Sequence, residues 1–349
     1  MANDLAMFLG NVNAHAQRCT TTLTLPVDAS HGTWFVFSEF RLMKVLLFLL
    51  AHQVHIRPSF SPSRKTPAMR SYPVDILAVI QTYPNGNAER FATHVAATAR
   101  HLNAEVHALI LQADFPPISS ALGNLLIDVP SLIGGAKAQC RERGEAVAQV
   151  LSAELASHEI PLRQTNVECR PGAEGDTAAS LARCHDLAML GINPGDVTQQ
   201  ATAEAVVFGS GRPTLLVPEN SAPATYGHVM IAWDGSRVAA RAVFDAREFL
   251  QRAQAVTIVC VTDEKALPDP STASQLAQYL ARCDVQAEVA LVKSQGRPIS
   301  ETLQEHALQI GADLLVMGGF AHSRVRDFVL GGATSGILKD LRLAVLLSH

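Results

Sequence analysis

The stretch "MGGFAHSRVRDFVLGGAT", from Met317 to Thr334, sets glycines at 318, 319, 331 and 332 on either side of a segment carrying His322, Ser323, Arg324 and Arg326. Glycine costs backbone entropy, so glycine pairs between a strand and a helix imply a tight turn or a close approach to backbone N–H groups. Phosphate is the usual partner of such groups at a helix start. Two further positions close apolar runs in the same part of the chain: Asp234 in "MIAWDGS" and Val261 in "IVCVTDE". A carboxylate accepts hydrogen bonds from an amino group or a ribose hydroxyl, and an exposed strand end offers backbone groups that can read a purine edge. Asp234, Val261 and Gly318 thus describe a nucleotide site, although "DGS" is equally good chemistry for capping the next helix.

Other constellations are weaker. "CHD" at Cys184–Asp186 pairs a thiol with an imidazole, but it runs into the apolar "LAMLG", and neighbours on an extended chain point to opposite faces. "GATSG", Gly332 to Gly336, imitates a nucleophile elbow with Thr334 at its centre, yet no strand immediately precedes it, so it reads as a helix N-terminus. Arg324 and Arg326 read as solvated loop residues. No catalytic residue is assigned. At most, slow hydrolysis of a bound nucleotide is expected, because no Walker lysine, paired carboxylates or general base accompanies the glycines.

The elements that must position these residues occur twice. "VDILAVIQT" from Val74 and "HVMIAWDGS" from His228 are both Val- and Ile-rich runs of the kind buried on both faces of a parallel sheet. Each precedes an Ala-rich amphipathic stretch and a second apolar run, "AEVHALIL" or "QAVTIVCVTDE". Further on, "LRQTNVEC" matches "VQAEVALV", "HDLAMLG" matches "ADLLVMG", and "GRPTLLVP" matches "LRLAVLLS". Strands alternating with helices of this length imply βαβ units with right-handed crossovers. The expected fold is α/β, with two tandem doubly wound, Rossmann-like parallel-sheet domains at residues 72–220 and 226–349, related by a pseudo-twofold axis. In such sheets ligands sit at the carboxyl ends of the strands. The two final strands are candidates for an interface between the repeats, since exposed edges are better paired.

The chain has 349 residues, with 28 Lys and Arg against 32 Asp and Glu, giving a net charge of −4. No basic stripe invites nucleic acid or an anionic membrane. Six scattered cysteines without a C-x-x-C pair argue against a structural metal or a disulfide framework, and fit a reducing cytoplasm. Residues 1–71 lack periodicity. Their apolar run "VLLFLLA" is far shorter than the ~20 residues a spanning helix needs. This segment reads as a poorly structured extension, with Met69 as the preferred start and little weight in the fold.

Over both repeats, about four-fifths of the chain, the sequence resembles the universal stress protein (UspA-like) family in its tandem form. That family's signature is glycine, two residues, glycine, nine residues, glycine, then serine or threonine. Here it reads Gly318, Gly319-Phe320, Ala321, His322 to Leu330, Gly331, Gly332, so that Ala321 replaces a glycine and Gly332 a hydroxyl residue, with Thr334 two places further on. The resemblance implies an adenine nucleotide alpha hydrolase-like fold, a stress or signalling role, and ATP with Mg²⁺ as ligand. By position, the contacts would be Asp234, Val261, Gly318, Ala321, Gly331, Gly332 and Thr334. It also implies a homodimer or an intramolecular pseudo-dimer. An interaction scaffold whose sites have decayed is the alternative. The first copy has Gln81 where the second has Asp234, and Gly209 follows Gly191 by 18 positions rather than the 13 from Gly318 to Gly331, so its cradle is expected to be lost. "GSG" at residues 209–211 then reads as a helix end and turn.

Overall fold

Val74–Gln81 (β1) reads VDILAVIQ and is buried on both faces, as a central parallel strand must be. The computed structural model describes residues 72–116, 128–263, 271–319 and 332–349. The chain divides into two units, residues 1–67 and 68–349, and the described residues all belong to the second. The N-terminal extension expected at 1–71, with Met69, lies outside them, as do Ala321, Arg324, Arg326 and Gly331.

After β1 come Arg90–Leu102 (α1), Ala104–Ala113 (β2), Val129–Ala156 (α2), Leu162–Cys169 (β3) and Glu174–Ala182 (α3). Leu187–Ile192 (β4), Val197–Gly209 (α4) and Thr214–Pro218 (β5) complete the first repeat. The second runs through His228–Ala232 (β6), Arg237–Asp245 (α5), Arg247–Arg252 (α6), Ala255–Val261 (β7), Thr272–Arg282 (α7) and Glu288–Val292 (β8). It ends with Ile299–Gln309 (α8), Leu314–Gly318 (β9), Gly332–Lys339 (α9) and Ala344–Ser348 (β10).

Each repeat orders its strands 3-2-1-4-5, all parallel, which is a doubly wound sheet. The repeats are not separate bodies, however. β5 and β10 pair antiparallel, Leu215 opposite Leu346, and fuse the two halves into one sheet of order β3-β2-β1-β4-β5-β10-β9-β6-β7-β8. Both strands are fully buried and apolar, so pairing removes two edges that would otherwise face solvent. The two doubly wound repeats expected from the sequence are thus joined edge to edge through their final strands. The intramolecular pairing of the final strands is what the structure shows. Among the described residues the sheet's edges are β3 and β8, whose side chains are mostly exposed.

Two apolar layers cover the sheet, and each draws buried residues from both repeats. One holds Phe91, Leu151, Tyr226 and Phe249; the other holds Leu190, Val206, Leu303 and Leu347. A repeated aspartate ties the first and fourth strands of each repeat at their amino ends. Asp186 accepts the Asp75 N–H at 3.1 Å in the first repeat, and Asp313 accepts the Gly227 and His228 N–H groups at 3.2 Å in the second. Between the repeats, Tyr226 is buried against Phe249, ring centroids 5.0 Å apart, and its hydroxyl shares a 2.7 Å hydrogen bond with Thr98.

Candidate functional site

In the second repeat, the registers of β7, β6 and β9 bring three expected site residues to one sheet end. Ala232 pairs with Val259 and Ile231 with Val316, so continuing the strands sets Asp234 level with Val261 and places Gly318 one position lower. Asp234 is exposed; its Oδ1 accepts the Ser236 N–H at 2.9 Å, while Ser236 caps α5 by accepting the Ala239 N–H at 3.2 Å. The capping reading of "DGS" is therefore realised, with Gly235 at φ +73° making the turn. Asp234 Oδ2 has no hydrogen bond among the described residues. It remains an exposed acceptor.

Gly318 answers a different demand. A Cβ there would lie 2.6 Å from the Val238 carbonyl carbon and 2.7 Å from the Ala239 nitrogen, so the glycine lets the start of α5 press against the end of β9. Only the four residues 233–236 separate β6 from α5, and this short link draws the helix in. Gly332 opens α9 in free space, where a Cβ would meet no described atom within 4 Å, whereas Thr334 is 2% exposed and keeps its hydroxyl away from solvent. Gly336 packs against Ser300 of α8, which gives the second glycine of "GATSG" a packing role. Ala321 and Gly331 complete the frame in sequence but lie outside the described residues.

The first repeat has closed the same place. Gln81, at the position of Asp234, is buried; its Nε2 donates to Thr202 Oγ1 at 2.5 Å and its N–H to Asn87 Oδ1 at 2.6 Å. Over Gly191, the counterpart of Gly318, sits the carboxylate of Glu219, which a Cβ on that glycine would strike. Glu219 is fully buried and accepts from Asn87 Nδ2, from the Ala88 N–H at 2.8 Å and from Asn193 Nδ2 at 2.8 Å. Burial pushes its carboxyl above the usual range, against the pull of those three donors. Sequence reasoning missed Glu219: one glutamate after an apolar strand carries no periodic signal.

Asp263, within "CVTDE", is a second residue that sequence alone does not single out. Its carboxylate accepts the Ser294 N–H at 2.7 Å and the Gln295 N–H at 2.9 Å, tying the end of β7 to the end of β8, and those bonds hold its pKa down. At "CHD", Cys184 is exposed, whereas His185 is buried and engaged with Leu181 O at 2.9 Å and His107 Nδ1 at 2.9 Å. The imidazole is committed to holding β2 and α3 together. Among the described residues no group of three or more His, Cys, Asp or Glu side chains could hold a metal ion, and no helix is long and apolar enough to cross a membrane.

A parallel sheet of order 3-2-1-4-5, with an acidic residue and glycines at the carboxyl ends of its central strands, defines a doubly wound α/β domain. Residues 225–349 match the model of the universal stress protein family, and the second repeat is a universal stress protein domain. Among solved structures, a universal stress protein from Archaeoglobus fulgidus DSM 4304 is similar at a TM-score of 0.58 and 15% identity, covering 78% of this chain and 95% of that one. A putative universal stress protein from Pseudomonas aeruginosa UCBPP-PA14 gives 0.48 at 15% identity, covering 78% and 92%. The Archaeoglobus structure shares the fold across both repeats, since the covered share exceeds either repeat alone. No curated protein sequence matches the chain.

Proposed function

We propose that this protein is an adenine-nucleotide-binding stress or signalling protein of the cytoplasm, with one ligand site per chain, in the second repeat. The observation that carries this reading is the contrast between equivalent strand ends. In the second repeat Asp234 presents an exposed carboxylate oxygen, unpartnered among the described residues, level with the end of β7; the first repeat buries Gln81 and fills the space over Gly191 with Glu219. Asp234 would take the adenosine end through an amino group or hydroxyl, with the Val261 backbone beside it. The N-terminal turn of α9, with Gly332 and the glycine frame before it, suits phosphates through its N–H groups and helix dipole. Mg²⁺ would arrive on the phosphates of ATP.

Titration calorimetry with ATP at fixed Mg²⁺ tests this, and one equivalent per chain is expected. Asp234→Asn, which keeps an oxygen for the Ser236 N–H but removes the charge, should weaken binding severalfold. Restoring the family residues with Ala321→Gly and Gly332→Ser should tighten it by roughly tenfold, through one regained hydroxyl contact and the wider backbone freedom of glycine. The scaffold reading also has an observation behind it: α5 packing demands Gly318 whether or not a ligand binds. Failure of both wild type and restored variant to bind at millimolar ATP would decide for it.

A further inference from the structure

Glu219 takes no part in the proposed nucleotide site, yet it is the most completely enclosed carboxylate among the described residues. It is 0% exposed, and its three partners are all N–H donors: Asn87 Nδ2 on Oε1, with the Ala88 N–H and Asn193 Nδ2 on Oε2. The donors are held in place by bonds of their own. Asn87 has its Oδ1 committed to the Gln81 N–H at 2.6 Å, which turns its NH₂ toward Glu219, and the Asn193 backbone is held by Gln199 Oε1 at 2.6 Å. A protonated carboxyl would bring a further hydrogen among groups that only donate, so the three donors favour the ionised form, against the burial that outweighs them in raising the carboxyl's pKa.

The donors belong to the β1–α1 and β4–α4 connections, at the crevice where this fold takes ligands, while Glu219 comes from the segment that links the two repeats. That linker is pinned by Arg90, which donates to Asn220 O at 3.2 Å, and by Ser221, whose carbonyl meets His94 Nε2 at 3.2 Å. We propose that the first repeat's crevice is a preformed anion site and that the chain occupies it with its own carboxylate, as a tethered ligand that excludes free ones.

The donor set also specifies the class of anion. Among the described residues no Lys or Arg side chain bonds to Glu219, and the further charge acting on it is the Asp196 carboxylate, which is repulsive. Three neutral donors beside a negative charge suit a small monoanionic carboxylate and disfavour a phosphate dianion. This assignment is independent of nucleotide binding in the second repeat.

The test is chemical rescue in the full-length chain at pH 7.5. Glu219→Ala vacates the site, and thermal melts are recorded in sodium acetate, sodium phosphate and sodium chloride at matched ionic strength. At 100 mM, acetate should raise the Tm of Glu219→Ala by about 4 °C over chloride, as expected for a ligand bound at about 10 mM, with phosphate giving less than half that rise. Wild type and Glu219→Gln, whose side chains fill the space, should show no acetate effect. If Glu219→Ala is insoluble, acetate during refolding should restore folded protein where chloride does not. Equal Tm values in acetate and chloride, the same acetate response in all three proteins, or an equal or larger response to phosphate would overturn the proposal.

Discussion

A single buried carboxylate separates the two repeats in chemistry. Because burial raises the Glu219 pKa above its ordinary 4.5, the folded chain binds more protons than the unfolded one between 4.5 and the folded value. Stability from this group is therefore fullest below pH 4.5 and declines as pH rises through the folded pKa. Wild type should lose stability relative to the non-titrating Glu219→Gln across that interval, measured as the difference in urea midpoints at successive pH values; parallel curves would show that Glu219 does not titrate there. Glycines divide in a similar way. Gly318→Ala must push its Cβ into the α5 backbone and should cost about 2–4 kcal/mol, whereas Gly332→Ala meets open space at a helix start and should change stability by no more than about 1 kcal/mol. Denaturant midpoints of the two variants settle the comparison, and a neutral Gly318→Ala would mean that α5 yields.

At the scale of elements, most of the architecture is legible in the sequence because buried parallel strands write themselves as unbroken apolar runs. VDILAVIQ, LAMLGI and TLLVP are buried along nearly their whole length. The match of "HDLAMLG" with "ADLLVMG" even preserves the aspartate that ties each fourth strand to the first. Connections are harder to read. The four-residue link from β6 to α5 and the eight residues, 82–89, from β1 to α1 look equally loop-like in sequence. Their lengths nonetheless decide whether a helix closes on the neighbouring strand end or leaves space for Glu219. The same limit applies to the glycine frame: spacing suggests a turn or cradle at Gly318, but only the packed α5 shows that this last residue of β9 must be glycine to admit the helix. Asp234 carries two candidate roles in the sequence; in the structure it accepts the Ser236 N–H in the turn before α5, Ser236 caps the helix, and one Asp234 oxygen is left exposed.

For the whole molecule, the consequence of pairing β5 with β10 is cooperativity. Ten strands form one sheet, the apolar layers on both faces draw on both repeats, and Tyr226 binds Thr98 and Phe249 into a shared core. Neither half can unfold without exposing the apolar edge of the other, so the described unit should melt in one transition despite being built as a repeat. Reporters exist on each side. Trp233 belongs to the second repeat, and with Trp34→Phe it becomes the sole tryptophan; Cys140 is a buried thiol of the first repeat. Trp233 emission and thiol labelling in a variant that keeps Cys140 as its sole cysteine should follow the same urea curve within error. Leu346→Ala, in the centre of β10 opposite Leu215, should shift both curves together by about 2–4 kcal/mol. Separate midpoints for the two reporters would mean that the β5–β10 seam joins two independently folding halves, and the fused sheet would then be a contact rather than a single cooperative structure.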